Sequence, residues 1–283
     1  MKSQFSNNLL FSFYLWSENQ LLNNGEAFIN NNSKLYYTPD ERLGSKIAYA
    51  SPFKQWVYDS GVNNGIVLQN VSGDFGSIER GQSGMMVDYE NGRVLFDSAV
   101  GTGLNISGNY SIKEFNFYQS NETDEYIIIS DKYYFNPRYQ DLPCSGIPPY
   151  SMTTPAVIIT NNKIINEPFA FGGMDDTKVG VSMIVMAESM FQINAINSFF
   201  VDKKYKYFPL LDLRLDPINE YGDLKSGYNY NELIKPYDVP GNLVQIENVT
   251  STKMSDKVKT NYKLFLGEIE FELSFPRYPR LNP

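Results

Sequence analysis

From Glu268 to Phe275 polar and apolar residues alternate without a break. Ile269, Phe271, Leu273 and Phe275 take one parity; Glu268, Glu270, Glu272 and Ser274 take the other. Successive side chains of a strand point to opposite faces, so this stretch fits a strand with one dry face and one wet face. Such a strand requires a sheet with a core beneath it. Further strands follow the same logic. Leu104, Ile106, Tyr110 and Ile112 alternate with Asn105, Ser107, Asn109 and Ser111, which predicts a half-buried strand. Val179–Ala187 is apolar on both parities and predicts a strand covered on both faces. Short strands are predicted at Lys34–Tyr37, after the polar run Asn30–Ser33, and at Ala156–Thr160, with others at Glu125–Ser130, Lys132–Phe135, Leu243–Val249 and Leu264–Phe275. Met85–Asp97, with Glu90-Asn91-Gly92 at its centre, reads as a tight β-hairpin, because Asn-Gly supplies the positive φ angles of two-residue turns.

Two segments carry the helical period instead. Leu9, Leu10, Phe13, Trp16 and Leu21 predict an amphipathic helix from about Ser6 to Asn24, stopped by Asn23-Asn24-Gly25. The apolar run within it, Leu9–Trp16, lacks a signal-peptide cleavage site and is far too short to span a bilayer, so a cytoplasm-like compartment is expected. Met190, Ile193, Ile196, Phe199 and Phe200 predict a second helix over about Ala187–Val201. The expected class is therefore α+β and β-rich. A β-sandwich-like part with antiparallel sheets and a hairpin insertion is joined to a strand–helix part. The organisation expected is a helix over 1–30, a β-rich region over 31–135, a Pro-rich linker over 136–155 and an α+β region over 156–283.

Composition narrows the chemistry. The 283 residues include no histidine and one cysteine, Cys144. A His-based triad, a His metal ligand, an intrachain disulfide and a multi-thiolate metal site are all excluded within one chain. A net charge of −8 argues against sequence-independent binding to nucleic acid, which needs a basic surface. The spacing of Gly101, Gly103 and Gly108 is not a dinucleotide fingerprint. Glu122, Asp124 and Glu125 lack the ligand spacing of a Ca²⁺ loop, and Asp175-Asp176 reads as a turn. Paired carboxylates for glycoside hydrolysis cannot be placed without a separation. No catalytic residue, cofactor or metal is expected. The 21 Tyr and 19 Phe favour strands and contact surfaces. The interface residues expected are Pro52, Phe53, Trp56 and Tyr58, with Asn91 and Gly92 of the hairpin.

Several phrases together resemble virion structural proteins of tailed bacteriophages. They are Leu35-Tyr36-Tyr37-Thr38-Pro39-Asp40, Tyr49-Ala50-Ser51-Pro52-Phe53-Lys54-Gln55-Trp56-Val57-Tyr58-Asp59, Arg80-Gly81-Gln82-Ser83-Gly84 leading into Asp88–Val94, and Tyr221–Tyr228. Val179–Val201, with the final alternating strand, resembles tail-completion or tail-terminator proteins. The resemblance implies a non-enzymatic ring, commonly sixfold, at the neck or tail of a virion, where head and tail join. Its partners would be copies of itself and other neck or tail proteins, with no membrane. An acidic wall would let DNA slide past without sticking. The chain is longer than a minimal terminator and its Asn-Gly hairpin has no counterpart there. A baseplate or tail-tip component, or a carbohydrate-binding adhesin module, is the alternative.

Overall fold

The computed structural model describes residues 4–97, 100–120, 133–135, 152–170, 173–253 and 264–278. Cys144, the Glu122–Glu125 cluster, the Glu125–Ser130 strand and positions 136–151 of the Pro-rich segment lie outside these. Helix α1 (Phe5–Asn24) leads into β1 (Phe28–Tyr37), β2 (Ile47–Ala50), β3 (Asn70–Gly73), β4 (Gly76–Glu79), β5 (Met86–Asp88), β6 (Arg93–Phe96) and β7 (Ile106–Lys113). These strands form a seven-stranded antiparallel sheet in the order β4-β3-β7-β1-β2-β6-β5. Next come β8 (Asn116–Gln119), β9 (Tyr133–Phe135), β10 (Met152–Thr154), β11 (Ala156–Ala170), β12 (Met174–Ala187), α2 (Met190–Val201), β13 (Tyr207–Pro209), a short α3 (Tyr230–Ile234), β14 (Leu243–Lys253) and β15 (Phe265–Arg277). A six-stranded sheet runs β13-β14-β15-β12-β11-β8, and β9 pairs with β10 in a separate parallel ribbon. The fold is α+β and β-rich, with curled antiparallel sheets.

Helix α1 forms where its apolar period predicts, yet it is not amphipathic. Ser12, Ser17, Glu18 and Asn19 are buried along with Leu9, Phe13, Leu15 and Trp16. The helix lies between the two sheets. One flank sets Phe13 against Phe208 of β13 and Phe271 of β15, at 5.7 and 4.9 Å between ring centroids. The other presents Glu18 to Lys113 of β7 and Asn19 to Asp59. A single hydrophobic cluster accordingly runs from α1 through Trp56, Tyr89 and Tyr110 of the first half to Met183, Phe200 and Phe271 of the second. Each fully buried Phe or Leu in it contributes about 1.5–3 kcal/mol of transfer free energy.

Other expectations need correction. The polar run Asn30–Ser33 is strand, inside β1, because its polar groups find partners across β7. Asn31 Nδ2 donates to Tyr110 Oη (3.1 Å), Ser33 Oγ shares a 2.6 Å bond with that hydroxyl, and Ser111 Oγ donates to Asn30 Oδ1 (2.5 Å). Strand β7 has a wet face only in its first half, since Tyr110–Lys113 is buried on both. Asp175 and Asp176 pair within β12, and the turn falls before Met174, where Gly173 has φ +86°. The Ala156–Thr160 strand extends to Ala170, and Met152–Thr154, expected as linker, is strand β10. Helix α2 starts three residues late because Ser189 caps it, accepting from Gln192 N. Between β13 and β14 the chain makes a 3-10 turn at Leu213–Leu215 and the short helix α3. The apolar residues of Val179–Ala187 and Phe271–Phe275 are buried as predicted, but Ser274, expected on the wet face, is buried too, its hydroxyl donating to Asp176 Oδ1 (2.6 Å).

Candidate functional site

The six residues expected at an interface are brought together. Ser51 N donates to Gly92 O (2.9 Å), Gln55 N to Glu90 O (3.0 Å) and Trp56 N to Tyr89 O (2.8 Å), so Ser51–Trp56 runs along the β5–β6 hairpin. The hairpin turn has four residues, Tyr89–Gly92, since Asp88 pairs with Arg93. It does not project as an insertion. Gly92 lies under Phe53, whose carbonyl oxygen would be 2.0 Å from a Cβ built there. Trp56 is fully buried, stacked on Tyr110 at 4.2 Å, and its indole N–H donates to Phe53 O (3.1 Å). Pro52, Tyr58 and Gly92 are buried too, leaving Phe53 and Asn91 half-buried. The aromatic residues that resembled a contact surface are core, because a stacked Trp–Tyr pair stabilises most when dry.

Between these residues stands one that no motif marked. Glu90 leaves the hairpin turn and opens into a cavity of about 420 Å³. Three elements build its walls. From α1 come Phe11, Tyr14 and Leu15, which share a face at three- and four-residue spacing; from β8 come Phe117, Tyr118 and Gln119. The loop after β13 contributes Leu213, Asp216, Ile218 and Asn219, shaped by Asp212 accepting from Arg214 N (2.9 Å) and Asp216 from Ile218 N (3.1 Å). Tyr58 closes the back.

Behind Tyr58 lies a buried polar network. Tyr58 Oη donates to Glu18 Oε2 (2.6 Å), Lys113 Nζ pairs with Glu18 Oε1, and the same ammonium sits 4.4 Å from the Tyr58 ring centroid. Asp59 accepts from Asn19 Nδ2 (3.1 Å), Gly61 N (2.8 Å) and Tyr230 N (3.1 Å). Burial nonetheless outweighs those bonds and holds Asp59 above the ordinary carboxylate range. Glu90 is raised as well, first by crowding from surrounding protein and then by the negative charge of Asp88, with Lys113 opposing. Burial, followed by the charges of Glu18 and Glu90, pushes the Tyr14 phenol well up. Among the described residues no hydrogen bond reaches the Glu90 carboxyl.

No protein-family model, curated protein or solved structure matches this chain. The site therefore has to be read from its own chemistry. Among the described residues no group of His, Cys, Asp or Glu side chains is arranged to hold a metal ion, and no helix is long and apolar enough to cross a membrane. The cavity holds acceptors, phenols and aromatic faces but no cation among its lining residues.

A second feature is a surface. Residues Asn161–Phe169 of β11 are exposed throughout, including Ile164, Ile165 and Phe169, the last at 64%. Strand β8 covers β11 only along Ala156–Ile159, so the outer part of this edge has no strand partner among the described residues. The opposite edge is similar: β13 covers β14 only at Leu243–Gln245, and Thr250–Lys253 is exposed.

Proposed function

We propose that this chain is a non-enzymatic structural component of a tailed-phage virion, assembling into a ring at the neck or tail as a completion or terminator protein. The observation that carries the reading is the six-stranded sheet with a stretch on each side that has no strand partner among the described residues, Asn161–Glu167 of β11 and Thr250–Lys253 of β14. Three antiparallel steps separate these strands, so they run in opposite directions. A neighbouring copy that presents β14 to β11 in the same orientation therefore continues the sheet with antiparallel pairing. The contact joins two different edges, and repeated head-to-tail contacts of this kind close into a ring when the rotation between neighbours is a whole fraction of a turn. The strand register puts the two open stretches at opposite ends of the sheet, so neighbours meet with a stagger, as tilted strands do in closed sheets. Pro168 has no N–H to donate, which ends the pairing span at Glu167. The net charge of −8 suits a ring whose lumen passes DNA without holding it, and sixfold symmetry is the order that the sequence resemblance implies.

Native mass spectrometry and light scattering test this directly. A discrete closed oligomer is expected. Ile165→Lys should shift it to monomer while leaving the thermal transition of the monomer within a few degrees, since Ile165 is already exposed (37%). A chain that stays strictly monomeric at high concentration, with or without neck and tail proteins, would sink the proposal. The location of the chain in an imaged particle provides the second check.

A further inference from the structure

We propose that the cavity between α1, β8 and the loop after β13 binds an organic ammonium group, a protonated or quaternary amine carried on an apolar body. The reading does not depend on ring assembly. Its lining combines aromatic rings (Phe11, Tyr14, Tyr58, Phe117 and Tyr118) and two carboxyls (Glu90 and Asp216) with aliphatic and amide side chains, and among the described residues no Lys or Arg lines it. Ring faces carry partial negative charge and attract ammonium ions, most strongly where water is scarce. Tyr58 already shows this preference, with the Lys113 ammonium 4.4 Å from its ring centroid. That lysine belongs to Glu18 and does not line the cavity.

Glu90 is a lining carboxyl with no hydrogen bond among the described residues. It is solvent-exposed, opens into the cavity, and feels the negative charges of Asp88, Glu18 and Asp216, with Lys113 opposing. Carboxylates gathered at one opening repel one another, and an entering cation relieves that repulsion where a neutral molecule does not. A neutral sugar would also suit aromatic walls, and Gln119 and Asn219 could meet its hydroxyls, but it would leave the local negative charge unrelieved. A volume of about 420 Å³ exceeds what a bare ammonium needs, so the ligand brings an apolar or hydroxylated body. Two sources supply such a group: a free small amine, or a lysine side chain of a partner protein.

The test is calorimetric titration of the full-length protein with choline, with an end-blocked lysine tripeptide, and with maltose, at constant ionic strength. Saturable binding of choline or the tripeptide is expected, and which of the two binds identifies the source. Glu90→Gln should weaken that binding at least tenfold while circular dichroism and melting stay unchanged. Asp216→Asn should weaken it in the same direction, and it carries the test if Glu90→Gln does not fold. Absence of saturable binding by both cations would overturn the proposal. So would cation binding that neither variant changes, or maltose binding indifferent to Glu90→Gln.

Discussion

Arg93 is the residue on which the hairpin depends. Its guanidinium sits almost dry between two carboxylates, with Nη1 2.9 Å from Asp40 Oδ2 and Nε 2.7 Å from Asp88 Oδ2. Asp88 also accepts from Asn91 N and Nδ2, which ties the turn to the ion pair. Removing one member leaves buried charge uncompensated, so Arg93→Ala should cost about 3–5 kcal/mol, read as a fall in the urea midpoint. The pH dependence has a definite sign. Burial by itself would raise Asp40, but hydrogen bonds from Arg42 and Arg93 outweigh it and hold the carboxyl below the usual range. The stability it confers is present above the ordinary aspartate range and is lost as pH falls through the lowered value. Arg93→Ala should flatten this acid limb of the stability profile; an unchanged slope would assign the limb to other groups. Gly92 adds a constraint of a different kind. Its φ of +64° and the Phe53 carbonyl beside it leave no room for a side chain.

Among the elements, α1 and α2 invite a comparison of packing with capping. Phe13 of α1 is fully buried and meets Trp16, Phe208 and Phe271. Phe13→Ala should cost about 3–5 kcal/mol, the sum of lost transfer energy and a cavity that the two sheets cannot close. Ser189 caps α2 through its hydroxyl, and Ser189→Ala should cost only about 1 kcal/mol. Chemical denaturation of the two variants checks the ranking; comparable losses would mean that α1 is not the central support its burial indicates. The long strands divide along their length in the same way. Inner β11 is covered by β8 and β12, whereas its outer half pairs with β12 alone among the described residues, so a lysine should be tolerated at exposed Ile165 and not at buried Ile158.

At the scale of the whole molecule, one hydrophobic cluster joins α1 to both sheets, so their unfolding should be coupled. Calorimetry is expected to show a single main transition that Phe13→Ala lowers as a unit; two separable transitions would show that the sheets fold independently. Much of this architecture was legible in advance. Alternation in Glu268–Phe275, unbroken apolarity in Val179–Ala187 and helical spacing in Phe5–Asn24 and Met190–Val201 are local patterns, and a local pattern determines element type because side-chain period follows from backbone geometry. Residues whose state depends on partners far along the chain were not legible. Asn30–Ser33 became strand through Tyr110 and Ser111, and Asp175-Asp176 through pairing with β11 and β15. Trp56 and Tyr58 exchanged an expected surface role for the core because β7 and α1 close over them. Glu90 was legible as a hairpin residue, but nothing local marked it as lining a cavity. A strand's faces are written in its own residues, but a cavity exists only where distant segments stop short of touching, and that gap is decided by the way the helix and the two sheets fill space together.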